Sequence, residues 1–139
     1  MKWKQIIVAG FIVGFIIMLI DIVIGGIFQR ILPYDIFELG GMRTIDDPIM
    51  MLFFIHPWVL GFSLSFVYSY IGKALNGNYI AKGWKFGLLM WIVIFAPYAF
   101  LVFASMDYPI GFYLNSIIPP FFYMLMSGVV ISKTFELLK

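Results

Sequence analysis

Four polar residues stand inside otherwise apolar stretches of this 139-residue chain: Asp21, His56, Tyr98 and Asn115. Placing an ionisable group in hydrocarbon costs at least about 2.5–3.5 kcal/mol, so each ionisable one needs a partner or a purpose. A carboxylate beside an imidazole can hold a charge or exchange a proton. A phenol and an amide can orient a ligand through hydrogen bonds. Asp21 serves in this reading as the charged or proton-exchanging centre and His56 as its titrating partner, with Tyr98 and Asn115 as the orienting groups. Their depths agree. At about 1.5 Å per residue they come out near 10, 12, 10 and 9 Å below one membrane face, as a single polar level. Ser63, Ser65, Ser69 and Ser127 are nearly all that interrupts the other half.

Other chemistries fare worse. Zinc would need His56, Asp21 and a loop acid such as Glu38 to converge, since such sites take three or four ligands. Haem could use His56 with one of nine methionines, but methionine in apolar helices is ordinary packing. An Asp–His–Ser arrangement has no spacing to support it. The absence of cysteine removes disulfides, CxxC pairs and thiolate cages. We therefore expect neither metal nor cofactor, and no catalytic residue stands out.

The elements that must position these groups follow from composition. The chain is 63% apolar and 12% charged with a mean hydropathy of +1.03, against about 25% charge in soluble domains. A single small domain could not bury that much apolar surface in water. A soluble enzyme, a nucleic-acid binder and a disordered chain are excluded. What remains is an all-α integral membrane protein whose first partner is the lipid bilayer. Spans of about 20 residues cross the hydrocarbon, and four are expected: 6–28, 48–75, 83–105 and 109–135. They form one domain, a four-helix bundle. Leu75-Asn76-Gly77-Asn78 reads as a turn, and Ser105-Met106-Asp107-Tyr108 as a linker ending at Pro109, which suits a helix's first turn.

Charge sets the expected orientation. Lys2, Lys4, Lys73, Lys82, Lys85, Lys133 and Lys139, opposed only by Glu136, gather at one end for a net +6. The other end has Arg30 and Arg43 against Asp35, Glu38, Asp46, Asp47 and Asp107, a net −3, and Asp21 completes the overall +2. The positive-inside rule then puts both termini in the cytoplasm and the polar level in the outer leaflet. Trp3 and Trp84 are expected as anchors at the inner boundary, Tyr34 and Tyr108 at the outer. Lys2-Trp3-Lys4 before an apolar run also resembles a signal peptide, but no A-x-A site comes after it and Asp21 interrupts the run.

Finer signals concern packing. Gly10, Gly14, Asp21 and Gly25 have a 4-7-4 spacing that keeps one helix face, and Gly10 with Gly14 makes a GxxxG pair suited to close approach. Asp21 should therefore point at other helices. Pro57, Pro97, Pro119 and Pro120 should free the carbonyls of Phe53, Val93, Asn115 and Ser116, which suggests a small hydrated cavity opening outward. The loop 29–47 is either a connector on the headgroups or a lid over a site below, and Leu32–Gly41 within it reads as a short interfacial helix.

Gly83, Gly87, Trp91, Phe95, Ala96-Pro97, Pro109, Phe112, Asn115 and Gly128 together resemble a pattern found in a domain-of-unknown-function family of small four-span prokaryotic membrane proteins. The resemblance spans about residues 83–132. It implies four helices in a prokaryotic cytoplasmic membrane and the Ala96-Pro97 and Asn115 positions, without assigned chemistry, and does not extend to Asp21 or His56.

The leading expectation is a non-enzymatic protein that binds, and in a homo-oligomer transports, a small polar or amphipathic molecule at the outer polar level. A structural or accessory subunit, whose polar layer only locks helices together, is the alternative. An enzyme acting on a lipid headgroup comes third.

Overall fold

The structure is a computed structural model that describes residues 2–41 and 43–138; Lys139, counted above among the lysines, lies outside the described residues. Four helical segments are long and apolar enough to cross a membrane: Trp3–Ile31, Pro48–Ile71, Tyr79–Ser105 and Ile110–Leu137. The described residues include no strand.

The first segment is not a uniform helix. It runs as α1 (Trp3–Ile20), a π-helical turn (Asp21–Gly25) and α2 (Gly26–Ile31). The second segment begins as a 3₁₀ helix (Pro48–Ile55), started by Asp47 Oδ1 accepting from the Ile49 N–H at 2.9 Å, and continues as α3 (His56–Ile71). The backbone changes type at His56, one residue before Pro57. The Phe53 carbonyl expected to be freed there instead accepts the His56 N–H, three residues on. Helix α3 also ends at Ile71, short of the expected 75.

The connector to α4 (Tyr79–Ser105) turns at Gly77, whose φ of +116° is open only to glycine without strain. Asn78 then caps α4 by accepting from the Ala81 N–H at 2.9 Å. Pro109 precedes α5 (Ile110–Leu137), which continues through Pro119 and Pro120. The expected interfacial helix at 32–41 is absent. Asp35 Oδ1 takes the Phe37 N–H at 2.8 Å and the chain folds into turns, an Asx competition that aspartate often wins over helix.

Packing forms a row rather than a ring: α3 lies on α1, α1 on α5, and α5 on α4. Small residues mark each crossing. A Cβ on Gly61 would sit 2.6 Å from the Gly10 carbonyl oxygen, and one on Gly128 would overlap that of Gly83. Glycine there lets backbones touch, as dispersion packing in lipid requires. The glycines and aromatics of the family-like pattern serve this same contact: Gly83 and Gly128 meet, Gly87 faces Met124, and Phe95 packs edge-on to Tyr123 at 5.8 Å.

The row closes at the lysine-rich end. There Tyr68 of α3 meets Phe86 of α4 and Phe135 of α5, both edge-on, and donates to Ser132 Oγ at 2.7 Å. Gln5 of α1 donates to the carbonyls of Phe135 and Leu138 at 3.2 and 3.1 Å. The buried polar side chains are therefore Gln5, Ser65, Ser127, Ser132 and Thr134. Most belong to the half expected to be almost wholly apolar, so that expectation is corrected.

Candidate functional site

Asp21 opens the π turn, and the local backbone explains where its carboxylate goes. A π turn fits one extra residue per turn and rotates the helix beyond it, which is why such turns recur at functional sites. Gly10 and Gly14 accordingly face α3, with Phe62 and Trp58 filling the space a Cβ would take, whereas Gly25 faces α5. The expected single stripe is thus shared between two neighbours.

Gly25 is the point of convergence. A Cβ there would lie 3.3 Å from Asn115 Oδ1, 3.9 Å from Asn115 Nδ2 and 3.9 Å from Asp21 Oδ1. The structure therefore brings Asp21 and Asn115 together across α1 and α5, at a gap that only the missing glycine side chain keeps open. Asn115 Nδ2 donates to the Tyr34 hydroxyl at 2.8 Å. Its Oδ1 is buried and has no hydrogen-bond partner.

Tyr34 is the residue that sequence reasoning misplaced. Expected as an outer-boundary anchor, it is turned inward by its loop and packs edge-on to Phe112 at 5.7 Å. Gln29 Nε2 donates to its carbonyl, and the Leu32 carbonyl lies against Gly111. Tyr108 donates to the Gly40 carbonyl at 3.2 Å, so the loop is held on α5 at two places. The signal available beforehand was the aromatic between Pro33 and Asp35, which a one-dimensional depth scale assigns to the boundary.

His56 and Tyr98 do not join the cluster. Among the described residues no hydrogen bond or ion pair links Asp21 to His56, though the two are close enough for their charges to act on each other. Contacts of Gly14 with Trp58 and Gly10 with Phe62 fix the α1–α3 register, and continuing it sets His56 level with Ile16, about 7 Å from the Asp21 level. Tyr98 is 50% exposed on α4, which packs on α5 and not on α1. Two residues past His56, the Trp58 indole N–H is buried without a partner.

The proline pair is also answered by a side chain. Trp91 Nε1 donates to the Ile117 carbonyl at 3.1 Å, next to the carbonyls that Pro119 and Pro120 release. Asp21, His56, Tyr98 and Asn115 line none of the three best-formed cavities among the described residues. Among the described residues no three His, Cys, Asp or Glu side chains gather to hold a metal ion. No family model, curated protein or solved structure matches the chain.

Proposed function

We propose that this is a multi-pass protein of a prokaryotic cytoplasmic membrane, with both termini inside, that binds a small polar or amphipathic molecule between Asp21 and Asn115 beneath the Tyr34 loop. The observation that carries this reading is the buried, unpartnered Asn115 Oδ1 beside the Asp21 carboxylate. A buried acceptor without a donor costs about 1–3 kcal/mol, so a ligand that donates to it and neutralises the carboxylate recovers free energy twice. The charge complement is a cation, which the acidic end of the molecule would also attract. A single chain of four helices supports binding; transport would require further copies.

The test is equilibrium dialysis of the purified protein in neutral detergent against phenethylammonium, an amphipathic cation whose N–H groups can donate. Asp21→Asn should weaken saturable binding at least tenfold, while Asp46→Asn, in the exposed loop, should leave it unchanged. Equal binding by the Asp21 variant overturns the reading.

One observation favours the structural alternative: the Asn115–Tyr34 bond already ties loop to helix without a ligand. In that case the wild type binds no probe, Asp21→Asn raises the melting temperature by removing an unpaired charge, and Asn115→Leu lowers it.

A further inference from the structure

The largest well-formed cavity, about 420 Å³, lies at the opposite end of the molecule from Asp21 and Asn115. It opens between α3, α5 and the connector into α4, and Lys2, Lys73 and Lys82 line it against one acid, Glu136. These lysines come from three separate segments, so sequence proximity does not explain their meeting.

Their partners do not explain it either. Elsewhere at this end two lysines are occupied: Lys85 donates to the Asn76 carbonyl at 2.9 Å, and Lys133 approaches Glu136 at 3.4 Å and lies 4.2 Å from the Tyr79 ring centroid. Among the described residues Lys73 and Lys82 have no hydrogen bond or ion pair, and Lys2 only a distant cation–π contact with Phe135, 5.7 Å from its centroid. The one acid in the cavity is thus already engaged by a lysine outside the lining. The back wall is fixed, because the Tyr68–Ser132 hydrogen bond and the edge-on packing of Tyr68 on Phe135 lock it. The cavity is a rigid polar recess with three ammonium groups and uncompensated positive charge.

We propose that this recess is a binding site for a phosphate group, carried either by the headgroup of an anionic lipid or by a small soluble phosphate. Basic pockets between helices at the positive end of a membrane protein take up such headgroups. Ammonium groups serve phosphate as point charges without a fixed fork geometry, which suits three lysines on flexible stems. A diffuse topology signal would leave its lysines spread over the surface; here they line one open recess.

The experiment uses the full chain in neutral detergent and a Ser69→Cys variant, which puts the only thiol on the cavity wall. Short-chain phosphatidic acid, with dioctanoylglycerol as the phosphate-free control and inorganic phosphate as the soluble probe, is tested for slowing of maleimide labelling at position 69. Phosphatidic acid should slow labelling at least tenfold, and dioctanoylglycerol should not. Protection by inorganic phosphate at comparable concentration identifies a soluble ligand, and protection by the lipid alone identifies a headgroup; either supports the site. Adding Lys73→Gln and Lys82→Gln should raise the concentration for half-protection at least tenfold, whereas Lys4→Gln, outside the cavity, should change it less than twofold. Equal protection by dioctanoylglycerol, no protection by either phosphate, or an equal loss in Lys4→Gln overturns the proposal. If the double lysine variant fails to fold, the contrast between the lipid probes in the Ser69→Cys protein still decides.

Discussion

At the lysine-rich end, backbones touch at Gly83 and Gly128, Tyr68 is held between two neighbouring helices, and Gln5 ties the first helix to the end of the last. At the acidic end, the helices change type at Asp21 and at His56, α4 touches α5 alone, and a loop is held down by Tyr34 and Tyr108. The first region has small residues at its crossings, and of its buried polar groups the Ser132 and Thr134 hydroxyls find partners while Ser65 Oγ, Ser127 Oγ and Gln5 Oε1 do not. The second departs from regular geometry where Asp21 sits. Departures of that kind concentrate at functional sites because the rest of the fold must hold them in place. Tight packing and irregular backbone thus lie at opposite ends of the molecule.

The sharpest way to break this comparison is to add one methyl group at each end. Gly128→Ala meets backbone atoms of Gly83 and Gly87 that cannot yield without separating α4 from α5. Overpacking of this kind costs about 1–3 kcal/mol or more. Gly26→Ala meets nothing within 4 Å, and should stabilise its helix by up to about 1 kcal/mol. Unfolding in detergent should show a large drop for the first and no drop for the second. A similar drop for both would mean that the acidic end is as tightly packed as the lysine-rich one.

Hydroxyl removal gives a middle-sized effect. Tyr68→Phe leaves Ser132 Oγ without its buried donor, at a cost of about 1–3 kcal/mol. Tyr34→Phe removes a partly buried bond that ties down a loop, and should cost about 0.5–1.5 kcal/mol. Its clearer readout is faster proteolysis within residues 35–47. If Tyr34→Phe proves the more destabilising of the two, the loop is a structural keystone and the division between the ends fails.

The smallest effect is local and pH-dependent. The Ile49 N–H, and then the Arg43 guanidinium at 2.6 Å, hold the Asp47 carboxyl below the usual carboxylate range. A carboxyl with a lowered folded pKa stabilises above its unfolded value, about 3.9, and that contribution is lost as pH falls through the lower folded value. The 3₁₀ segment from Pro48 should therefore loosen only in strong acid, seen as faster amide exchange at Ile49 and Met50. Asp47→Asn should abolish that pH dependence. An unchanged acid response in the variant would assign the loosening to other groups.

Much of this was readable in one dimension. Four apolar segments, the turn at residues 75–78, the start after Pro109 and the segregation of lysines from acids all depend on residues close in sequence. Hydrophobicity sums over a window of about 20 residues and needs no knowledge of neighbours. Asn115 stood out as a polar residue of the last helix, and the closeness of Gly10 and Gly14 to another helix was legible from their size.

Other features had no local signal. The π turn at Asp21 rotates Gly25 away from the Gly10–Gly14 face, and no residue type announces it. Tyr34 meets Asn115 across 81 residues, and Lys2 shares a cavity with Lys73 and Lys82. Which helix lies beside which was equally hidden. Apolar side chains are as well solvated by lipid as by one another, so hydrophobicity places a helix in the membrane without choosing its neighbour. That choice falls to shape, where missing Cβ atoms at Gly61, Gly83 and Gly128 let particular backbones meet. Sequence alone therefore determined that the chain has four apolar spans with unlike ends; the tertiary structure decided which polar groups face each other across them.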